Sequence, residues 1–173
     1  SNVTVTVSPI PTSEPLVIWE DQSEFSFQYP ESLKLNPHAE DTENYAHIEL
    51  TSATHSGSLT VWTQDTKALD NEDWIKRDKI QGAIDTTLAS MPAKKFLTGS
   101  EPKILTTIII RNGYLYKIEA NLSDVDYWSK IFDTVSATFK YQPASNQPEA
   151  ETQPQMQSSA NEEAIDEFEE VVE

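Results

Sequence analysis

Two histidines, His47 and His55, with Glu49 close to the first, are the residues whose types and spacing come nearest to a metal site. His47 falls on the polar side of an alternating stretch and His55 in the loop that follows, so their side chains could approach. Zinc needs three or four converging ligands, and only Glu49 offers itself as a third. Surface histidines are therefore the expected reading, and no metal is expected. His38 lies in a polar loop and is expected to face solvent. The run Asp70-Asn71-Glu72-Asp73 has the acidity of a calcium loop, but the central glycine and terminal glutamate of an EF-hand are missing. Capping of a helix start explains the run without a cation. Nucleophilic catalysis has no foothold: there is no cysteine, no Gly-x-Ser-x-Gly elbow, and only 4 glycines for any phosphate-cradling loop. Nothing in the sequence points to a pair of hydrolytic carboxylates. Trp62, Trp74 and Tyr45 could line a ligand groove, yet aromatics at these spacings are expected to be core anchors. No catalytic, cofactor-binding or metal-ligating residue is assigned.

One feature is not needed for a fold. Residues 162–172 (EEAIDEFEEVV) place Ile165, Phe168 and Val172 on one side of an otherwise acidic helix. So short a helix is marginal alone in water and needs a surface to dock on. Its bland role is a solubilising tail. Its functional role is an amphipathic segment laid into a protein partner's groove, or folded back on its own domain or a neighbour's.

Charge narrows the partners. The net charge is −17, and residues 143–173 hold nine acidic residues with no Lys or Arg. The remainder is only mildly acidic. Nucleic acid and anionic lipid both call for a basic face, and none is visible in the sequence. No apolar run is long enough to span a bilayer. The mean hydropathy of −0.53 is low for a wholly globular chain, and the deficit sits at the ends. The chain opens at Ser1-Asn2 without methionine, which reads as a processed or tag-cleaved start; any signal peptide or lipid-anchor cysteine would belong upstream.

The elements that must position any site follow from periodicity. Residues 1–17 mix Ser, Thr and Val with Pro9, Pro11 and Pro15, as an extended tether does. Residues 18–19 and then 25–30 read as the first core strand, with Phe25, Phe27 and Tyr29 on one face. Leu33 and Leu35 suggest a short strand. Residues 45–51 alternate, placing Ala46, Ile48 and Leu50 inward, and form a hairpin with 59–64. Asp70 caps a helix expected over 71–90, with Trp74, Ile80, Ile84, Leu88 and Met91 as a loose stripe and Pro92 as its stop; Gly82 and Thr86-Thr87 weaken its centre, where a break into two pieces is the alternative. A short strand follows at 94–98. Asn112-Gly113, between apolar runs at 104–111 and 114–122, signals a type I′ hairpin. Its register places Ile109 opposite Tyr116, Thr107 opposite Ile118 and Leu105 opposite Ala120. Ser123 is expected to cap a last helix whose Trp128, Ile131, Phe132, Val135 and Phe139 share a face. Residues 143–161 have the composition of a disordered linker, and 162–173 form the acidic tail. The fold class expected is α+β: a central, mostly antiparallel sheet covered in part on both faces by helices.

The aromatic strand ending in Tyr-Pro (FSFQYP, 25–30), the paired strands ILTTIIIRNGYLYKIEA (104–120) and the closing helix YWSKIFDTVSATFKY (127–141) together resemble the PsbP-like family. The family's wider superfamily includes Mog-type Ran-binding proteins. The resemblance spans about residues 18–142 and is nearest to small exported bacterial domains that follow a Pro/Thr-rich tether. It implies an α/β/α sandwich, usually without enzymatic activity, serving as an accessory or binding module at a membrane or on a protein. It supplies no binding residue position by position. The expectation is thus a non-enzymatic, extracytoplasmic module tethered to a bacterial cell envelope, without cofactor. Its rivals are a cytosolic protein-binding adaptor of the same fold and a hydrolase with an unrecognised acid pair.

Overall fold

The computed structural model describes residues 14–142. Most of the proline-rich tether, and all of 143–173 with Ile165, Phe168 and Val172, lie outside them. The chain opens with a hairpin, β1 (Leu16–Asp21) and β2 (Phe25–Pro30), where one strand was expected. β3 (Lys34–Asn36), β4 (Ala46–Thr51) and β5 (Ser58–Asp65) follow as an antiparallel meander. Helix α1 spans Asn71–Arg77. Next come β6 (Ile84–Leu88), β7 (Met91–Thr98), β8 (Ile104–Arg111) and β9 (Tyr114–Asn121), then α2 (Val125–Thr138) and a short β10 (Lys140–Tyr141).

The strands form a seven-stranded sheet in the order β3-β4-β5-β9-β8-β7-β6 and a three-stranded sheet β1-β2-β10. Every pairing is antiparallel. The Asn112-Gly113 turn has φ of 51° and 79°, as a type I′ turn requires, and it sets the expected register: Ile109 opposite Tyr116, Thr107 opposite Ile118, Leu105 opposite Ala120. Helix α2 and the β1–β2 hairpin cover one face of the large sheet. There Phe25, Phe27, Trp128 and Phe132 meet Ile48, Leu59, Val61, Ile109 and Ile118 in the main core. Helix α1 lies on the other face, where Trp74 packs with Phe96, Ile108 and Leu115 in a smaller cluster. That helix is a single short piece, so much of this face stays uncovered.

Three expectations need correction. The helix over 71–90 stops at Arg77, and 84–88 is a strand. Isoleucine and two threonines favour extended backbone there, and Ala89 and Ser90 form a two-residue hairpin turn with φ of 50° and 63°. Pro92 accordingly ends no helix: it sits in β7, opposite Thr87. The cap of α2 is Asp124, whose carboxylate accepts from the Tyr127 N–H at 3.2 Å, while Ser123 instead donates its hydroxyl to the Asn121 side chain. A carboxylate is also the better partner for the positive end of a helix.

Candidate functional site

The sequence-named histidines do not converge. His55 stacks face to face on Tyr127 at 3.7 Å and pairs through Nδ1 with Asp124 at 2.7 Å. This interaction, and then the hydrogen bond from the Tyr127 N–H, lowers the Asp124 pKa. It fastens the 52–57 loop to the start of α2, where Ser56 accepts from both the Asp124 N–H and the Trp128 indole. His47 lies elsewhere, bound to Asp41 at 2.9 Å and stacked on Trp62 at 4.0 Å. His38, expected in solvent, is the outer plate of the same stack, 3.9 Å from His47. The carboxylates of Glu40 and Glu49 raise its pKa, Glu40 through the stronger hydrogen bond. Among the described residues no group of three or more His, Cys, Asp or Glu could hold a metal ion.

The acidic run at the start of α1 is fully occupied by the fold. Asp70 accepts from the Asp73 N–H, Asp73 accepts from the Leu69 N–H and pairs with Arg77, and Glu72 pairs with Lys94. Asn71 bridges strands: its amide donates to the Pro92 carbonyl, and its carbonyl accepts from the Ile110 N–H. Of the three aromatics assigned to the core, only Trp74 is buried there. Trp62 lies half-buried on the open face with Lys117 5.3 Å above its ring, and Tyr45 is exposed and donates to Asp65. Among the described residues the carboxylates with a displaced pKa (Glu40, Asp41, Asp73, Asp124) are displaced downward, mainly by hydrogen bonds that favour the charged form. A general acid requires the opposite displacement.

The concave feature best suited to bind something lies where no motif marks it. The large sheet extends past α2 on its β7–β6 side, leaving a groove between the helix and the outer strands. Two hollows of about 740 and 910 Å³ make up the groove, and Lys95 and Asp133 line both. Alternation sends Met91, Ala93, Lys95 and Leu97 of β7 to this face, together with Thr107 and Arg111 of β8. Met91, Leu97, Ile84 and Val125 are large apolar side chains left exposed along this side.

The two hollows differ in charge balance: the second sets Lys95 and Lys103 against Glu101 and Asp133, while the first is mainly basic. Lys95, Arg111 and Lys140 line the first hollow against the single acid Asp133, and among the described residues none of the three cations has an ion pair. Arg111 lies over the Tyr141 ring at 4.1 Å, and Lys95 lies 5.4 Å from the Phe132 ring. Two hydroxyls in the wall, Ser136 Oγ and Tyr141 OH, are buried without a hydrogen-bond partner, and burial raises the Tyr141 pKa. In a protein this acidic, an unpaired cationic cluster beside exposed apolar side chains suits an anionic, amphipathic ligand. Sequence reasoning missed the groove because its outer edge, 84–90, reads as helix, and its cations are far apart in the chain.

No family model matches this sequence, and no curated protein does. Among solved structures, the chain is similar to the solution structure of cyanobacterial PsbP (CyanoP) from Synechocystis sp. PCC 6803, at 15% sequence identity and a TM-score of 0.53. The likeness covers 79% of this chain and 98% of that one. The fold is therefore PsbP-like. At this identity the likeness is one of fold.

Proposed function

We propose that this chain is a non-enzymatic accessory module that binds a protein partner through the groove beside α2, and that it works outside the cytoplasm, tethered to a cell envelope by its proline-rich start. One observation carries the binding reading: Lys95, Arg111 and Lys140, none of them in an ion pair among the described residues, line one hollow with the single acid Asp133, beside exposed Met91 and next to the hollow that holds exposed Leu97. The partner segment that fits is acidic with apolar anchors, docked by the helix-in-groove mode. The extracytoplasmic placement draws on the tether composition and the PsbP-like fold. In the first hollow Asp133 lies among Lys95, Arg111 and Lys140, and in the second Asp133 is joined by Glu101, with Lys95 and Lys103 beside them.

Titration of the full chain with a fluorescein-labelled peptide alternating glutamate with leucine and phenylalanine tests the binding reading. Saturable binding that weakens as salt rises, and that falls about tenfold or more in Arg111→Glu, is the expected result. Equal binding by the two proteins overturns it.

A further inference from the structure

The described chain ends at the groove: Lys140 and Tyr141, in its wall, are followed immediately by the segment that carries the acidic tail. We infer that the groove's resident occupant is the chain's own residues 162–173, docked in cis with Ile165, Phe168 and Val172 against the exposed apolar side chains and the tail carboxylates against Lys95, Arg111 and Lys140. This rests on the groove reading above and adds the identity of what fills it.

Three observations support this occupant. The first is charge: six acidic residues lie between 162 and 170 with no base among them, opposite three unpaired cations. The second is size. A helix over 162–172 would be roughly 16 Å long, while the eight residues of β7 that floor the groove span about 26 Å. The third is reach. The 19 residues between 143 and 161 follow directly from the groove wall, and a flexible chain of that length would span roughly 24 Å, which would put docking in cis at an effective concentration of order millimolar. An external acidic ligand must then displace the tail, and the tail sets the threshold a partner has to exceed.

The protein has no cysteine, so a single nitroxide can be placed on Ser159→Cys in the full, ¹⁵N-labelled chain. The expected result is paramagnetic broadening of the groove amides of Ser90, Lys95, Leu97 and Ala137, unchanged on dilution and diminished by added salt or by Lys95→Glu with Lys140→Glu. Absence of broadening at these amides overturns the inference. So does broadening that arises only between a labelled chain and a separate ¹⁵N chain, which places the tail on a second copy. The peptide titration separates the two failures. If the Glu-rich peptide shifts the groove amides while the tail label leaves them sharp, the groove reading stands and the cis occupant falls; if neither acts on them, both fall.

Discussion

The guanidinium of Arg111 lies 4.1 Å from the centre of the Tyr141 ring, joining the last residue of β8 to the last residue of β10. The contact sets a permanent positive charge at the end of the groove and shields one side of a tyrosine whose hydroxyl has no hydrogen-bond partner. A buried hydroxyl without a partner costs stability. Tyr141→Phe keeps the ring under Arg111 and removes that cost, so it is expected to raise the unfolding free energy by about 1 kcal/mol. Denaturant titration checks this, and a fall of the same size would mean that the hydroxyl is bonded.

Gly57 is the least replaceable residue of the fold. A β-carbon there would stand 2.5 Å from Trp128 Nε1 and 2.6 Å from the Asn121 carbonyl oxygen, and its φ of +119° disfavours any side chain. Trp128 is fully buried and cannot yield. Gly57→Ala is expected to cost about 3 kcal/mol, read as a lower thermal midpoint and altered indole fluorescence.

The β6–β7 turn stores removable strain. Ser90 is exposed and held at φ 63°, where L-residues are disfavoured and glycine is not. Ser90→Gly is expected to stabilise the protein by about 1 kcal/mol in thermal or denaturant unfolding. Destabilisation would contradict the turn geometry.

The His38–His47–Trp62 stack gives a pH dependence of known sign. His38 has its pKa raised, chiefly by Glu40 and then by Glu49, so its contribution to stability is fully present below the unfolded-state value and is lost as pH rises through the folded value. Imidazole titration by NMR is expected to place His38 above the ordinary histidine range, and Glu40→Gln to bring it back down. An unmoved titration in Glu40→Gln would contradict the assignment.

Local chemistry in the sequence made part of this fold legible. Asn112-Gly113 fixed a turn and thereby a register, and Phe25, Ile48 and Trp128 declared buried faces through strict periods of two and of three to four. The second half of the expected first helix was not legible, because Ala89-Ser90 carries none of the usual turn residues and the stripe through Ile80, Ile84 and Leu88 also matches a helical period. The groove inherits that loss: Thr86 and Met91 belong to it only once 84–88 is a strand and β7 begins at Met91, three residues before the strand expected at 94–98. Its cations at 95, 111 and 140 have no common local pattern, and only the antiparallel topology brings them together. The histidines misled for a related reason, since stacking partners such as Tyr127 and Trp62 come from elements distant in sequence.

A charge swap in the groove tests the account most directly. The affinities of the full chain and of Arg111→Glu/Lys95→Glu are compared for two fluorescein-labelled peptides, one alternating glutamate with leucine and phenylalanine and the other its lysine counterpart. The account predicts inverted preference, with the native groove choosing the glutamate peptide and the swapped groove the lysine peptide, each choice weakening as salt rises. Unchanged preference in the swapped protein, with its amide spectrum still that of the folded domain, would contradict it.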